Sequence, residues 1–217
     1  MRNDENFEME KPVVIFDFDG TIANTLDSII DILNDLSDEF GFKKIKENEV
    51  EYLRGKRPRE ILKHLGISIF KLPFVIRKTR KEINSHIALL KPSVDLFPIL
   101  KLLKENGCAL GIVTTNTEEN VQNFLHANNL DLFDFFYTAK KIFGKDRIIS
   151  KIIKEMNVQK SNVYFIGDEI RDIEAGKKVG INTIAVSWGY NTKNALIKEH
   201  PDYLIDSPSE LEKIILS

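Results

Sequence analysis

At 217 residues and 42% hydrophobic content, the chain is long enough to bury a substantial core and fits one domain, or one domain with an elaboration. Its 31 basic and 33 acidic residues leave a net charge of −2, which offers no footprint for nucleic acid or an anionic membrane, and neither partner is expected. A single cysteine, Cys108, cannot close an internal disulfide, and within CALGIV it reads as a buried, inert thiol in a reducing compartment. The N-terminal MRNDENFEMEKP is polar and acidic, and the apolar run after it is too short for a signal-peptide core or a membrane span. A cytoplasmic location is expected.

The first predicted element is a strand over VVIF, running into Asp17 and Asp19. After it, TLDSIIDILNDLSDEF places Leu26, Ile29, Ile30, Leu33, Leu36 and Phe40 at helical spacing, with Gly41 as a stop. Helices are predicted over 48–53, 58–65 and 73–90, the last opened by Pro73, and no strand is convincing between Ile22 and Lys91. From Pro92 the pattern alternates: helix 94–105, strand 109–114, helix 118–128, a short apolar run 133–138, helix 146–156, strand 162–167, helix 170–179 and strand 183–187. Continuous apolar strands between helices indicate a parallel sheet covered on both faces. The predicted fold is α/β, a Rossmann-like core formed by residues 1–21 and 92–217, with an all-helical insertion over 22–91 after the first strand.

In open parallel sheets the ligand crevice lies beyond the carboxyl ends of the strands. Polar residues fall there repeatedly. VVIF leads to Asp17 and Asp19, GIV leads to Thr114, Thr115 and Asn116, and VYFIG leads to Asp168, with Asp172 four residues on. Each has an ordinary explanation by itself: Asp19-Gly20 as a turn, Thr115 to Thr117 as a helix cap, Asp168 and Asp172 as a cap and a solvated first-turn acid. Together they form a cluster of acids that cannot all ionise without a cation. Oxygen ligands of this kind suit Mg²⁺, which takes few carboxylates and leaves room for a substrate phosphate. The Thr114 hydroxyl, helix-start amides and one lysine could then hold a phosphoryl group.

In this order, Asp17-Phe18-Asp19-Gly20-Thr21, the strand ending in Thr114, Lys145, and Gly167-Asp168 through Asp172 resemble the four motifs of the haloacid dehalogenase-like hydrolase superfamily. The helical insertion resembles that superfamily's small cap, and the pattern is similar to the phosphoglycolate phosphatase group over essentially the whole chain. The resemblance implies a Mg²⁺-dependent phosphatase acting on a small phosphate monoester, phosphoglycolate-like or a sugar phosphate, through an aspartyl-phosphate. It implies Asp17 as nucleophile, Asp19 as general acid and then base, and Thr114, Thr115 and Lys145 as phosphate-binding residues. Metal ligands would be Asp17, the Asp19 carbonyl and Asp168, with Asp172 supporting them from behind.

Two places depart from the common pattern. Lys145 lacks the proline that often follows the motif lysine, and Lys140 and Lys141 compete for its role. Lys145 is preferred because its separation from Asp168 leaves room for one helix and one strand. Glu169 stands where relatives often carry Thr or Ser, and it is expected to point to solvent with no assigned role. In the insertion, YLRGKRPRE offers Arg54 and Arg57 as candidates for binding an anionic group of the substrate. Trp188 and Tyr190 are possible walls of the site, with core packing an equal explanation, and the four histidines receive no role. The alternatives are a phosphomutase of the same fold and a phospho-accepting signalling domain. Monomer and homodimer both remain open.

Overall fold

A computed structural model describes residues 11–139 and 144–217. Among them, six strands form one parallel sheet in the order β3-β2-β1-β4-β5-β6. β1 is Val13–Phe16, β2 Ala109–Thr114, β3 Phe135–Thr138, β4 Val163–Gly167, β5 Asn182–Val186 and β6 Tyr203–Ile205. All of the pairings are parallel, with Phe16 opposite Ile112 on one side and Ile166 on the other. The central β1 shows why a parallel sheet is apolar throughout. Its side chains alternate between faces, and both faces are covered: Val14 and Phe16 enter one buried cluster, Val13 and Ile15 the other.

The first cluster is closed by three helices, α5 (Phe97–Glu105), α6 (Glu118–Ala127) and α10 (Glu210–Ile215), through residues such as Leu100, Phe124 and Leu211. The second is closed by α7 (Lys145–Met156) and α8 (Ile170–Val179), through Ile149, Ile152 and Val179. Cys108 is buried and free, and burial pushes its thiol pKa up, so the inert reading holds. A short helix, α9 (Lys193–Ile197), precedes β6. No described helix is long and apolar enough to cross a membrane.

Between β1 and α5 the chain forms only helices: α1 (Leu26–Phe40), α2 (Glu47–Arg54), α3 (Pro58–Leu65) and α4 (Leu72–His86), followed by a single 3-10 turn at Ile87–Leu89. Apolar residues of this segment gather in their own cluster around Ile45, Leu53 and Leu65. The two ends of the segment meet. Ala23 bridges Pro92, Asn24 N donates to Lys91 O at 3.0 Å, and Ser93 N donates to Ile22 O at 2.8 Å. An insertion leaving and re-entering at one point disturbs the sheet little, since its backbone groups at the junction are paired with each other.

Candidate active site

The strand order reverses around β1, with β2 leading out one way and β4 the other, and the carboxyl ends of these strands define the crevice. Asp17 is the first residue past β1. Its N–H still donates to Ile166 O at 2.8 Å, and its Oδ1 accepts from Phe18 N at 2.7 Å, so the carboxylate is fixed at the strand end. The chain then turns sharply, with Gly20 N donating to Ala23 O at 2.8 Å.

Lys145, the first residue of α7, reaches into this position with its side chain 2% exposed. Its Nζ lies 2.5 Å from Asp17 Oδ2 and 2.6 Å from Asp172 Oδ1. The ammonium is well directed toward Asp172 but not toward Asp17, leaving the buried Asp17 Oδ2 without a hydrogen bond. Burial pushes the Lys145 pKa down, yet Asp17 and Asp172 outweigh it, and the ammonium is held above the ordinary lysine value. Lys140 and Lys141, the competing lysines, lie outside the described residues.

Asp19 is half-buried and receives the Asn116 side-chain amide at 3.2 and 3.3 Å. Asn116 is itself locked: its Oδ1 accepts from Thr117 N at 2.8 Å and from Asn120 Nδ2 at 2.7 Å. Burial raises the Asp19 pKa, against the opposing pull of the Asn116 hydrogen bond. Thr114 is buried at the end of β2, with Oγ1 accepting from Asn116 N at 3.0 Å, and Thr115 borders a cavity shared with Asp19. The cap of α6 is Thr117, whose side chain accepts from Asn120 N at 3.2 Å. Thr114 and Thr115 therefore are not needed to start the helix.

The loop from β4 to α8 differs from expectation in what it brings to Asp17. The carboxylates whose oxygens lie within 4.8 Å of one another, among the described residues, are Asp17, Glu169 and Asp172. Asp168 and Asp19 are not in that group. Asp168 is fully buried, accepting from Thr21 Oγ1 at 2.5 Å and from Tyr190 N at 2.6 Å. It sits between two glycines that leave it room. A Cβ on Gly189 would collide with the Asp168 side chain; one on Gly20 would do the same, and Gly20 also adopts a φ of +83°.

Glu169 is buried rather than solvated, as a 7% residual exposure shows, and it pairs with Arg171. At the start of α8 the Glu169 side chain turns to Arg171, two residues on, while its N–H donates to Asp172 Oδ2 at 3.1 Å. Neither Glu169 nor Arg171 was predicted to belong here. The only sequence signal was a second acid and a base inside GDEIRD, a pattern that a solvated helix start also produces.

Arg54 and Arg57, proposed from the sequence as substrate binders, have other partners. Arg54 donates to Tyr190 O at 3.1 Å and Gly189 O at 3.0 Å, and pairs with Glu51. Arg57 pairs with Glu174 and, at 2.6 Å, with Glu199. Both arginines tie the helical insertion to the rim of the site. Of the following loop, Trp188 packs against the first core cluster, with Nε1 donating to Thr21 O at 3.1 Å, whereas Tyr190 lines a cavity and its OH lies 2.6 Å from Thr25 Oγ1.

Five acids, Asp17, Asp19, Asp168, Glu169 and Asp172, thus face two cations, the buried Lys145 and the half-buried Arg171. Burial raises the pKa of Asp17 to about 7 despite Lys145 beside it. It also raises Asp168 and Glu169, and in Asp168 the neighbouring acids add to the effect. An excess of buried carboxylate oxygen, with Asp17 Oδ2 making no hydrogen bond among the described residues, fits a hard divalent cation.

A family model described as haloacid dehalogenase-like hydrolase matches residues 14–186, spanning β1 through β5. The chain belongs to the haloacid dehalogenase-like hydrolases. Among curated relatives of this family, it is 31% identical over 203 residues to a phosphoglycolate phosphatase of Synechococcus elongatus, covering 91% of this chain and 94% of that protein. It is 26% identical over 212 residues to the pyrophosphatase PpaX of Bacillus mycoides, covering 95% and 98%. A haloacid dehalogenase-like hydrolase structure from Streptococcus pneumoniae superposes with a TM-score of 0.79 at 19% identity, covering 94% and 98%, which shows the fold.

Proposed function

We infer that this haloacid dehalogenase-like hydrolase is a phosphatase for a small phosphate monoester. The observation that carries the reading is the strand-end constellation in which Lys145 holds Asp17 at the bottom of the crevice while Asn116 aims at Asp19 beside it. The names of the phosphoglycolate phosphatase and pyrophosphatase relatives support the same class.

In this reading the Asp17 carboxylate attacks phosphorus, forming an O–P bond as the bond to the leaving oxygen breaks, and Asp19 delivers a proton to that oxygen. Its raised pKa keeps Asp19 protonated closer to neutral pH than an ordinary aspartate, as the acid step needs. Asp19 then takes a proton from water attacking the aspartyl-phosphate, releasing phosphate and restoring Asp17. Thr114, Thr115 and Lys145 bind the phosphoryl oxygens. Mg²⁺ would be held by Asp17 with Asp168, Glu169 and Asp172, and when bound it supplies charge neutralisation for attack by one anion on another. Residues 22–91 act as a cap that excludes water and reads the leaving group, anchored by Arg54 and Arg57.

The test is phosphate release from 2-phosphoglycolate, pyrophosphate and p-nitrophenyl phosphate, with Mg²⁺ and after chelation. Turnover of at least one ester is expected, falling at least about 100-fold on chelation and returning when Mg²⁺ is restored. Turnover of none of them contradicts the function, and turnover indifferent to chelation contradicts the cation's part in it.

A further inference from the structure

The charge of Arg171 is not explained by its place in the fold. It occupies the first turn of α8, where the helix dipole disfavours a cation. Its side chain is only 14% exposed, and among the described residues its single ion-pair partner is Glu169. The Nε atom is buried and makes no hydrogen bond. A guanidinium that has lost its water and keeps an unanswered donor is costly unless something else completes it.

What Arg171 borders suggests what completes it. A cavity of about 230 Å³ runs from Asp19, Thr115 and Asn116 at the sheet edge to Thr79 and Arg80 on α4, and Arg171 forms part of its wall. The remaining lining is almost entirely aliphatic, so the polar groups stand out. Thr79 Oγ1, like Arg171 Nε, is buried without a hydrogen-bond partner. A second cavity of about 290 Å³, against α1, α2 and α3, also reaches Arg171. The guanidinium is thus placed on the side of Asp19 that faces the insertion, where the group released from phosphorus must lie. Glu169, Asp172 and Asp17 act on it from the core side, and it in turn acts on Asp19, so Arg171 brings positive charge to the cavity wall beside Asp19.

We propose that Arg171 is a specificity-determining residue that receives a second anionic group, carboxylate or phosphate, carried by the leaving group of the ester. The proposal rests on the reading of Asp19 as the proton donor to that leaving group. Glu169 takes the guanidinium through Nη2, and the buried Nε remains as a directed donor for an oxyanion, held in a planar group whose geometry an ammonium does not reproduce.

The full-length protein with Mg²⁺, its Arg171→Met variant and its Arg171→Lys variant are compared on 2-phosphoglycolate, pyrophosphate and p-nitrophenyl phosphate, whose leaving group carries no carboxylate or phosphate. In Arg171→Met, kcat/KM for at least one of the first two should fall at least tenfold more than for the third, mainly through KM. Arg171→Lys should recover part of that selectivity. Which of the two is affected more distinguishes carboxylate from phosphate. Equal losses on all three, or none, overturn the proposal, because a residue serving only Glu169 would not sort substrates by charge. Should Arg171→Met fail to fold by circular dichroism, Arg171→Lys alone carries the test, with the same selectivity loss expected in smaller measure and unaltered selectivity overturning it. Should wild type hydrolyse none of the three, the phosphatase reading fails by that result. Calorimetric titration of the wild type and Arg171→Lys with 2-phosphoglycolate and ethyl phosphate then decides the role of Arg171. Tighter binding of the doubly anionic ligand that is lost in the variant supports it, and equal binding of the two ligands overturns it.

Discussion

Replacing Asp17 by Asn should abolish phosphate release, by roughly 10⁴-fold or more, while leaving the fold intact. Loss of a nucleophile cannot be made good by the binding groups that remain, which is why the expected effect is so large. The fold should survive because the substitution removes a buried charge rather than adding one. Asn keeps the shape and an oxygen for Phe18 N, and Lys145 retains Asp172 at 2.6 Å. A second readout follows from the pKa of about 7, raised from 3.8 by burial. In the metal-free protein the folded state binds the Asp17 proton more tightly than the unfolded chain does. The stability this proton contributes is fully present below pH 3.8 and is lost as pH rises through about 7. Melting in the presence of a chelator should therefore lose that component of the decline between pH 5 and pH 8 in Asp17→Asn. Mg²⁺ should stabilise wild type more at pH 8 than at pH 5.5. A variant with full turnover, or with an unaltered pH dependence of melting, would refute the assignment.

Lys145→Met is expected to be the most damaging substitution for stability. The ammonium is the near neighbour of both Asp17 and Asp172, all three are buried, and methionine leaves the two acids facing each other. Breaking a buried pair by removing one partner typically costs about 3–5 kcal/mol, because the remaining charge has lost both water and its counter-ion. The Lys145 pKa is raised above its ordinary value, so its own contribution is constant across the neutral range and is lost only at higher pH, as pH rises through the folded-state pKa. Asp17, with its pKa raised to about 7, sets the dependence nearer neutrality. Protonation at pH 5 should soften the damage, and Mg²⁺ at pH 8 should restore part of it. Urea denaturation at the two pH values checks this, and phosphate release should fall at least about 100-fold through the loss of phosphoryl-oxygen binding. A variant as stable as wild type at pH 8 without Mg²⁺ would contradict the charge accounting.

Much of this architecture was legible in the chain because the four central strands are buried on both faces. VVIF, ALGIVT and VYFIG read as continuous apolar runs, and the polar residues directly after them had only the sheet edge to occupy. Lys145 was preferred because its separation from Asp168 leaves room for one helix and one strand, and the structure puts it beside Asp17. Other features depended on contacts between segments far apart in sequence. Arg54 and Arg57 look like an anion-binding loop until the rim carrying Gly189, Tyr190, Glu174 and Glu199 is folded against them. Glu169 misleads locally instead: it looks like a solvated helix-start acid, whereas it is buried and paired with Arg171 two residues on. The short elements α9, β6 and α10 were not anticipated, since three to six residues carry too little periodicity to register.

The central claim is that Asp17 carries the phosphoryl group during turnover. It is tested most directly by acid-quenching the protein within a single turnover with a hydrolysed ester, reducing any acyl-phosphate with borohydride, and locating the reduced residue by peptide mass spectrometry. Reduction of Asp17 to homoserine is predicted, in a yield that rises and decays with phosphate release and is absent from Asp17→Asn. Reduction at another carboxylate, or phosphate release with no reducible intermediate at any time in the turnover, would contradict the account.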